Sequence, residues 1–125
     1  MISSKQLLSG FVLVILLAAS WVGVRAESQS TTIRGYVLDS ACAFIKNLKK
    51  PVSVECAVAC AKAGSPLVIL ADSGTIYWPI SGDTPAQGQN DRLMEFAGKR
   101  VTVTGRVYQR GGSRAVVIDT IRAEK

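Results

Sequence analysis

The last quarter of the chain alternates between apolar and polar residues, and this pattern constrains the fold more than any other feature. In "KRVTVTGRVYQ", Val101, Val103 and Val107 share one side of an extended strand, because successive side chains of a strand point to opposite faces. The glycine-rich "RGGS" predicts a tight turn, and "RAVVIDTIRA" returns as a second strand. The end of the chain is therefore predicted to be a β-hairpin in a mainly β domain.

Three more strands and a short helix precede this hairpin. "TIRGYVLDS" alternates as a strand, "PLVILAD" and "TIYWPI" form a hairpin around "DSG", and "NDRLMEFAG" fits a helix. Asn90 or Asp91 is expected to cap this helix and Gly98 to end it. Gly35 predicts a bend of the first strand, as at a barrel corner. Five strands with a helix between the third and fourth give the OB-fold order, a five-stranded Greek-key barrel. A small open β-sandwich is the alternative.

The beginning of the chain has the layout of a secretory signal peptide. A single Lys5 precedes the uncharged stretch 6–24, and "VRA" offers a cleavage site after Ala26. We therefore expect a signal peptide at 1–26, a linker at 27–32, an OB-like domain at 33–125, and a periplasmic or secreted protein. The alternative is an uncleaved anchor, since the uncharged run approaches the ~20 residues that span a bilayer. A membrane partner is expected only in that case.

Composition narrows the function. Thirteen of the 15 basic residues and all nine acidic residues follow residue 26, so the mature charge is +4. The basic residues are spread along the chain, and a nucleic-acid partner is not expected, since such proteins usually carry a dense basic stripe. The chain has no histidine, which excludes Ser-His-Asp and Cys-His catalysis. Because the acidic residues form no convincing acid–base pair, a non-enzymatic binding protein is predicted.

All three cysteines lie in the segment "DSACAFIKNLKKPVSVECAVACAKAG", residues 39–64. A helix is predicted in its second half, with Ser53 as N-cap and Gly64 just after its end. Cys56 and Cys60 are four residues apart, so they share a helix face with ~5–6 Å between their Cβ atoms. A disulfide brings Cβ atoms to ~3.8 Å, and a bridge between these two would therefore distort the helix.

Cys42 leaves three interpretations open. With Cys56 and Cys60 it could bind a soft metal ion such as copper(I) or zinc, and Asp39 could add an oxygen ligand. In an oxidising compartment Cys42 could instead form a disulfide with one of the two and leave one thiol free. The protein would then be a structural or protein-interaction domain of the cell envelope. The third interpretation is packing alone, because free cysteine is commonly buried.

Four aromatic residues on predicted strands are candidates for a ligand-binding face. They are Tyr36, Tyr77, Trp78 and Tyr108. OB domains often stack ligands on aromatic side chains of a strand face. Packing within the barrel is the alternative role for several of them.

The motifs resemble those of small exported bacterial OB-fold-like proteins of unknown function. The matching residues form G-x-V-x-D-x-x-C, C-x-x-x-C, a G-x-P-L step and an AG-x-x-V-x-V-x-G ending: Gly35, Val37, Asp39, Cys42, Cys56, Cys60, Gly64, Pro66, Leu67, Ala97, Gly98, Val101, Val103 and Gly105. The resemblance covers most of the mature chain and implies a fold and a cysteine pattern without an activity. Such proteins often carry a histidine just before C-x-x-x-C, where this chain has "SVE". That difference disfavours a histidine-assisted metal site.

Overall fold

A computed structural model describes residues 29–51 and 53–125, and the expected signal peptide lies outside these residues. The elements in chain order are β1 (Ser30–Asp39), α1 (Ser40–Ile45), α2 (Val54–Lys62), β2 (Leu67–Ala71), β3 (Ile76–Pro79), α3 (Asn90–Leu93) with a following 3₁₀ turn (Met94–Phe96), β4 (Arg100–Arg110) and β5 (Ser113–Ala123). None of the helices in the described residues is long and apolar enough to cross a membrane.

The five strands form a closed barrel in the order β1-β2-β3-β5-β4. Neighbouring strands are antiparallel except β3 and β5, which are parallel. The first part of β1 pairs with β4, from Ser30 to Tyr36, and its second part pairs with β2, from Gly35 to Asp39. This is the strand order of an OB-fold barrel. The expected OB-like fold is therefore confirmed, and the closed barrel excludes the open sandwich.

Gly35 lies where β1 changes partners, because it pairs with both Ala71 of β2 and Val101 of β4. A Cβ atom at Gly35 would lie 2.7 Å from the Cα of Ala71 and closer still to the carbonyl oxygen of Leu70. Only glycine allows the two strands to approach this closely at the corner of the barrel. The close backbone approach that such a glycine permits is thus present at the point where β1 changes partners.

The main core fills the barrel interior with the alternating side chains that the sequence indicated. Strand residues of this core are Ile33, Val37, Leu67, Ile69, Val101, Val103, Val116 and Ile118. Ala57 and Ala61 of α2, together with Leu93 and Ala97, pack into the same cluster. The helix α2 is therefore fixed to the barrel through its small buried residues.

A second, smaller core lies on the outer face of β1 and β2. It consists of Leu38, Val68 and Leu70 with Ala43 of α1, and Leu48 packs against it from the loop that follows α1. Successive residues of a strand point to opposite faces, so Val37 enters the main core and Leu38 the second core. The helix α1 covers Leu38 and its neighbours on this outer face through Ala43. The two cysteine-bearing helices thus dock on different cores.

Two details differ from the sequence-based expectation. The strand β1 begins at Ser30, inside the segment expected to be linker. The residue at the N-cap of α3 is Gln89, without a side-chain capping bond, so the prediction of Asn90 or Asp91 as cap was wrong. The side chain of Asn90 points instead to the backbone at the end of α2 and the start of β2.

Candidate metal centre

The first cysteine is positioned by the short helix α1 and its cap. The Asp39 carboxylate accepts a hydrogen bond from the Cys42 backbone N–H, with 3.0 Å between Oδ2 and N. A side-chain acceptor at the N-cap satisfies a backbone donor that has no partner within the helix. Cys42 therefore occupies the third position of a helix whose start is fixed at the end of β1. An aspartate three residues before the cysteine is an N-cap signal that the sequence carries at this position.

The second helix repeats the same local arrangement. Ser53 Oγ accepts from the Cys56 backbone N–H at 3.0 Å, which confirms Ser53 as the cap. At the other end, Gly64 has a φ of +103°; its N–H bonds to Ala61, and the next N–H bonds to the carbonyl of Cys60. This is a Schellman ending, which favours glycine at this position. Cys56 and Cys60 thus share one face of a helix defined at both ends.

The two helices bring the three cysteines together. The sulfur atoms of Cys42, Cys56 and Cys60 all lie within 4.8 Å of one another, and each side chain is half-buried. No two of the sulfurs are bonded. A cavity of about 10 Å³ lies between α1 and α2 and is lined by Cys42 and Cys56, which is about the space that one water molecule needs. The predicted convergence of the three thiols is therefore present in the structure.

The surroundings favour the protonated form of the Cys42 and Cys60 thiols when no metal is bound. A hydrogen bond to the Asp39 carboxylate, together with burial, raises the pKa of Cys42 to about 11. Burial raises the pKa of Cys60 as well, and the nearby negative charge of Asp39 adds to this effect. Desolvation and a neighbouring anion both disfavour a thiolate. A bound cation would reverse this balance, because it compensates the negative charge that the site accumulates.

Asp39 is almost completely buried, at 2% exposure. Its Oδ2 accepts from the Cys42 N–H and, at 3.5 Å, from the hydroxyl of Ser65. The group of close donor atoms consists of the three cysteines and does not include Asp39. The carboxylate therefore orients Cys42, and the sulfurs alone form the set of converging ligand atoms.

Asn90 is the residue of this region that sequence reasoning missed. Its Oδ1 accepts from the backbone N–H of Leu67 at 2.8 Å, and its Nδ2 donates to the carbonyls of Ala61 and Ser65 at 3.2 and 2.9 Å. One amide thereby joins the end of α2 to the start of β2. Because these partners are distant along the chain, the sequence offered only a capping preference for Asn90.

The four aromatic candidates do not form one ligand face. Tyr77 packs against the main core, whereas Tyr36 and Trp78 pack against the second core, and Tyr108 is 46% exposed. Tyr36 also lies under the guanidinium of Arg100, 5.5 Å from the ring centre. Most of these rings therefore contribute to packing.

The fold and the site define the class of the molecule: a closed five-stranded OB-like barrel with a cluster of three cysteines between two short capped helices. Comparison with protein-family models, with curated proteins and with solved structures finds no match for this chain.

Proposed function

We propose that the protein is an exported, non-enzymatic binding module that holds one soft metal ion through Cys42, Cys56 and Cys60. The observation that carries this proposal is the convergence of three sulfurs within 4.8 Å. A metal ~2.3 Å from each sulfur holds the sulfurs ~3.8–4.0 Å apart. Contraction by about 1 Å at most, which side-chain rotation and a small helix shift supply, would therefore form the site.

Copper(I) is the favoured ion and zinc the second. Structural zinc sites use four ligands in a tetrahedron, whereas the cluster contains three sulfur donors. The carboxylate of Asp39 already accepts hydrogen bonds from Cys42 and Ser65, which opposes its recruitment as a fourth ligand. Soft thiolates suit copper(I) without a fourth ligand.

The test is a metal titration of the reduced protein. The full chain is expressed and purified under reductant, and copper(I) and zinc are added in competition with a chromophoric chelator. One equivalent of copper(I) is expected per chain. Replacement of Cys42, Cys56 or Cys60 by serine is expected to weaken binding by more than the ~10–100-fold loss that follows removal of an orienting partner. Asp39→Asn keeps a good N-cap and is expected to stay within that smaller range.

Ala59→Ser serves as the matched control, because Ala59 is an exposed residue of α2 next to Cys60. This variant is expected to bind copper(I) as the unmodified protein does. The absence of stoichiometric copper and zinc would refute the proposal, as would cysteine variants that bind copper(I) as tightly as the unmodified protein.

The second candidate is a disulfide-stapled structural or interaction domain of the envelope. The same proximity supports it, since Cys42 lies on α1 and its neighbours lie on α2. A bridge from Cys42 would join two segments, stabilise the fold by ~3 kcal/mol and leave one thiol for an envelope partner. Alkylation of the denatured, non-reduced protein distinguishes the two: one modified thiol supports the disulfide, and three support the metal site.

A further inference from the structure

We propose that the end of α1 and the loop after it dock the protein on an anionic lipid surface. The surface in question, called the α1 tip, consists of Phe44, Ile45, Lys46, Lys49 and Lys50. This inference is independent of the proposed metal and concerns the opposite side of α1 from its buried Ala43.

The first observation is the exposure of two large apolar side chains. Phe44 is 61% and Ile45 84% exposed, and they are the two most exposed large apolar residues in the described part of the chain. They follow the buried Ala43 in α1, and the helical turn of about 100° per residue carries them to the outer side. Contiguous exposed apolar side chains that are rimmed by polar residues are a feature of protein and membrane interaction sites.

The second observation is that the local backbone holds these side chains outward. Asn47 has a φ of +47°, the left-handed conformation that commonly ends a helix. This reversal lets Leu48 pack back on the second core. The ring of Phe44 stacks on Trp78 with 6.1 Å between ring centres and 24° between planes. The α1 tip is therefore held against the barrel by the ring of Phe44 and by the neighbouring Leu48.

The third observation is the positive charge around the α1 tip, which indicates an anionic partner. Lys46, Lys49 and Lys50 are exposed, and no acidic residue lies between positions 40 and 54. Arg114 lines the surface depression of about 460 Å³ beside Phe44, and no acidic residue lines it. Apolar side chains surrounded by basic residues match the boundary between acyl chains and anionic headgroups. A second copy of this chain would carry the same positive charges and is disfavoured as the occupant.

The test measures binding to vesicles of phosphatidylglycerol and phosphatidylcholine, with phosphatidylcholine alone for comparison. The full chain is expressed, and the mass of the purified product is recorded so that all compared variants share one N-terminus. Binding is expected with the anionic vesicles and is expected to weaken as salt rises, because exposed charges are screened. Hydrogen exchange of the segment 40–51 is expected to slow only with anionic vesicles.

Two variants test the two components of the α1 tip. Each lysine near an anionic surface contributes about fivefold to partitioning, so K46Q/K49Q/K50Q is expected to lose about 100-fold. F44S/I45S is expected to lose at least about tenfold, since each side chain gives up apolar burial. These side chains are exposed, and thermal unfolding is expected to show that both variants remain folded.

The matched control K62Q/K99Q/K125Q removes the same charge from exposed lysines outside the α1 tip. Its binding is expected to stay within about threefold of the unmodified protein, because these lysines lie outside the α1 tip and screening limits their reach. Equal loss in the control, or unchanged protection of segment 40–51 with anionic vesicles, would overturn the proposal. A dimer in solution that F44S/I45S converts to a monomer, without vesicle binding, would assign the tip to a protein interface instead.

Discussion

Replacement of Asn90 by alanine is expected to destabilise the protein by about 2–4 kcal/mol. The side chain makes three hydrogen bonds, to Leu67, Ala61 and Ser65, and each contributes about 1 kcal/mol. Leu67 is 2% exposed, so its N–H would lose its partner where water has little access, which costs about 1–3 kcal/mol. Such a loss is a large share of the 5–15 kcal/mol that is typical of a small domain.

Urea unfolding followed by circular dichroism measures this change. Gln89→Ala is the control, because the side chain of the neighbouring Gln89 bonds to the exposed carbonyl of Gln87. Loss of this side chain is expected to cost less than about 0.5 kcal/mol. Asn90→Asp is a second probe. One carboxylate oxygen keeps the acceptor for the Leu67 N–H, but the other oxygen places negative charge against the carbonyls of Ala61 and Ser65. This variant is therefore expected to destabilise at least as much as alanine at neutral pH. A loss of unfolding free energy below about 1 kcal/mol for Asn90→Ala would show that this side chain does not hold the end of α2 to the start of β2.

Three further predictions concern the barrel, acid stability and metal affinity. Gly35→Ala is expected to destabilise the protein by about 3 kcal/mol or more in urea unfolding, because a Cβ atom there meets the backbone of β2. Gly88→Ala is the control, since open space surrounds that position. Equal effects of the two variants would contradict a steric role for Gly35. Arg100 holds the pKa of Asp72 below its usual range by a bidentate contact. This contact therefore stabilises the folded protein above about pH 4, and its contribution is lost as the pH falls further. Thermal unfolding between pH 2 and 6 should show a flatter dependence in Arg100→Gln, and an unchanged slope would exclude the contact. Its surroundings raise the pKa of Cys42 to about 11, so copper(I) bound as proposed would have to displace the thiol proton. The affinity for copper(I) should then rise at least about tenfold per pH unit from pH 6 to 8, and a pH-independent affinity would contradict thiolate ligation.

The barrel was predictable because its signals are local. Alternation of apolar residues located β4 and β5, turn residues located the hairpins, and a glycine within β1 located the corner. The helix α2 was predictable for the same reason, since Ser53 and Gly64 mark its two ends. Features of this kind depend on backbone preferences that act within a few residues.

What the sequence did not predict depends on partners that are remote along the chain. The stack of Phe44 on Trp78 joins α1 to β3, and the contacts of Asn90 span 23 to 29 residues. Asp39 was considered as an oxygen ligand, and the sequence alone did not distinguish that role from its role as the cap of α1. Side-chain type alone does not determine such roles, because the alternatives have similar local energies.

The anchoring of the two helices determines which of them would adjust to a metal. The nine residues of α2 are fixed by Ala57 and Ala61 in the main core and by the tether to Asn90. The six residues of α1 contribute one buried residue, Ala43. Since packed cores resist displacement, we expect Cys42 to move toward the α2 pair and not the reverse. The same short helix ends in the α1 tip, so a small rotation of α1 would change both the sulfur spacing and the surface that the tip presents.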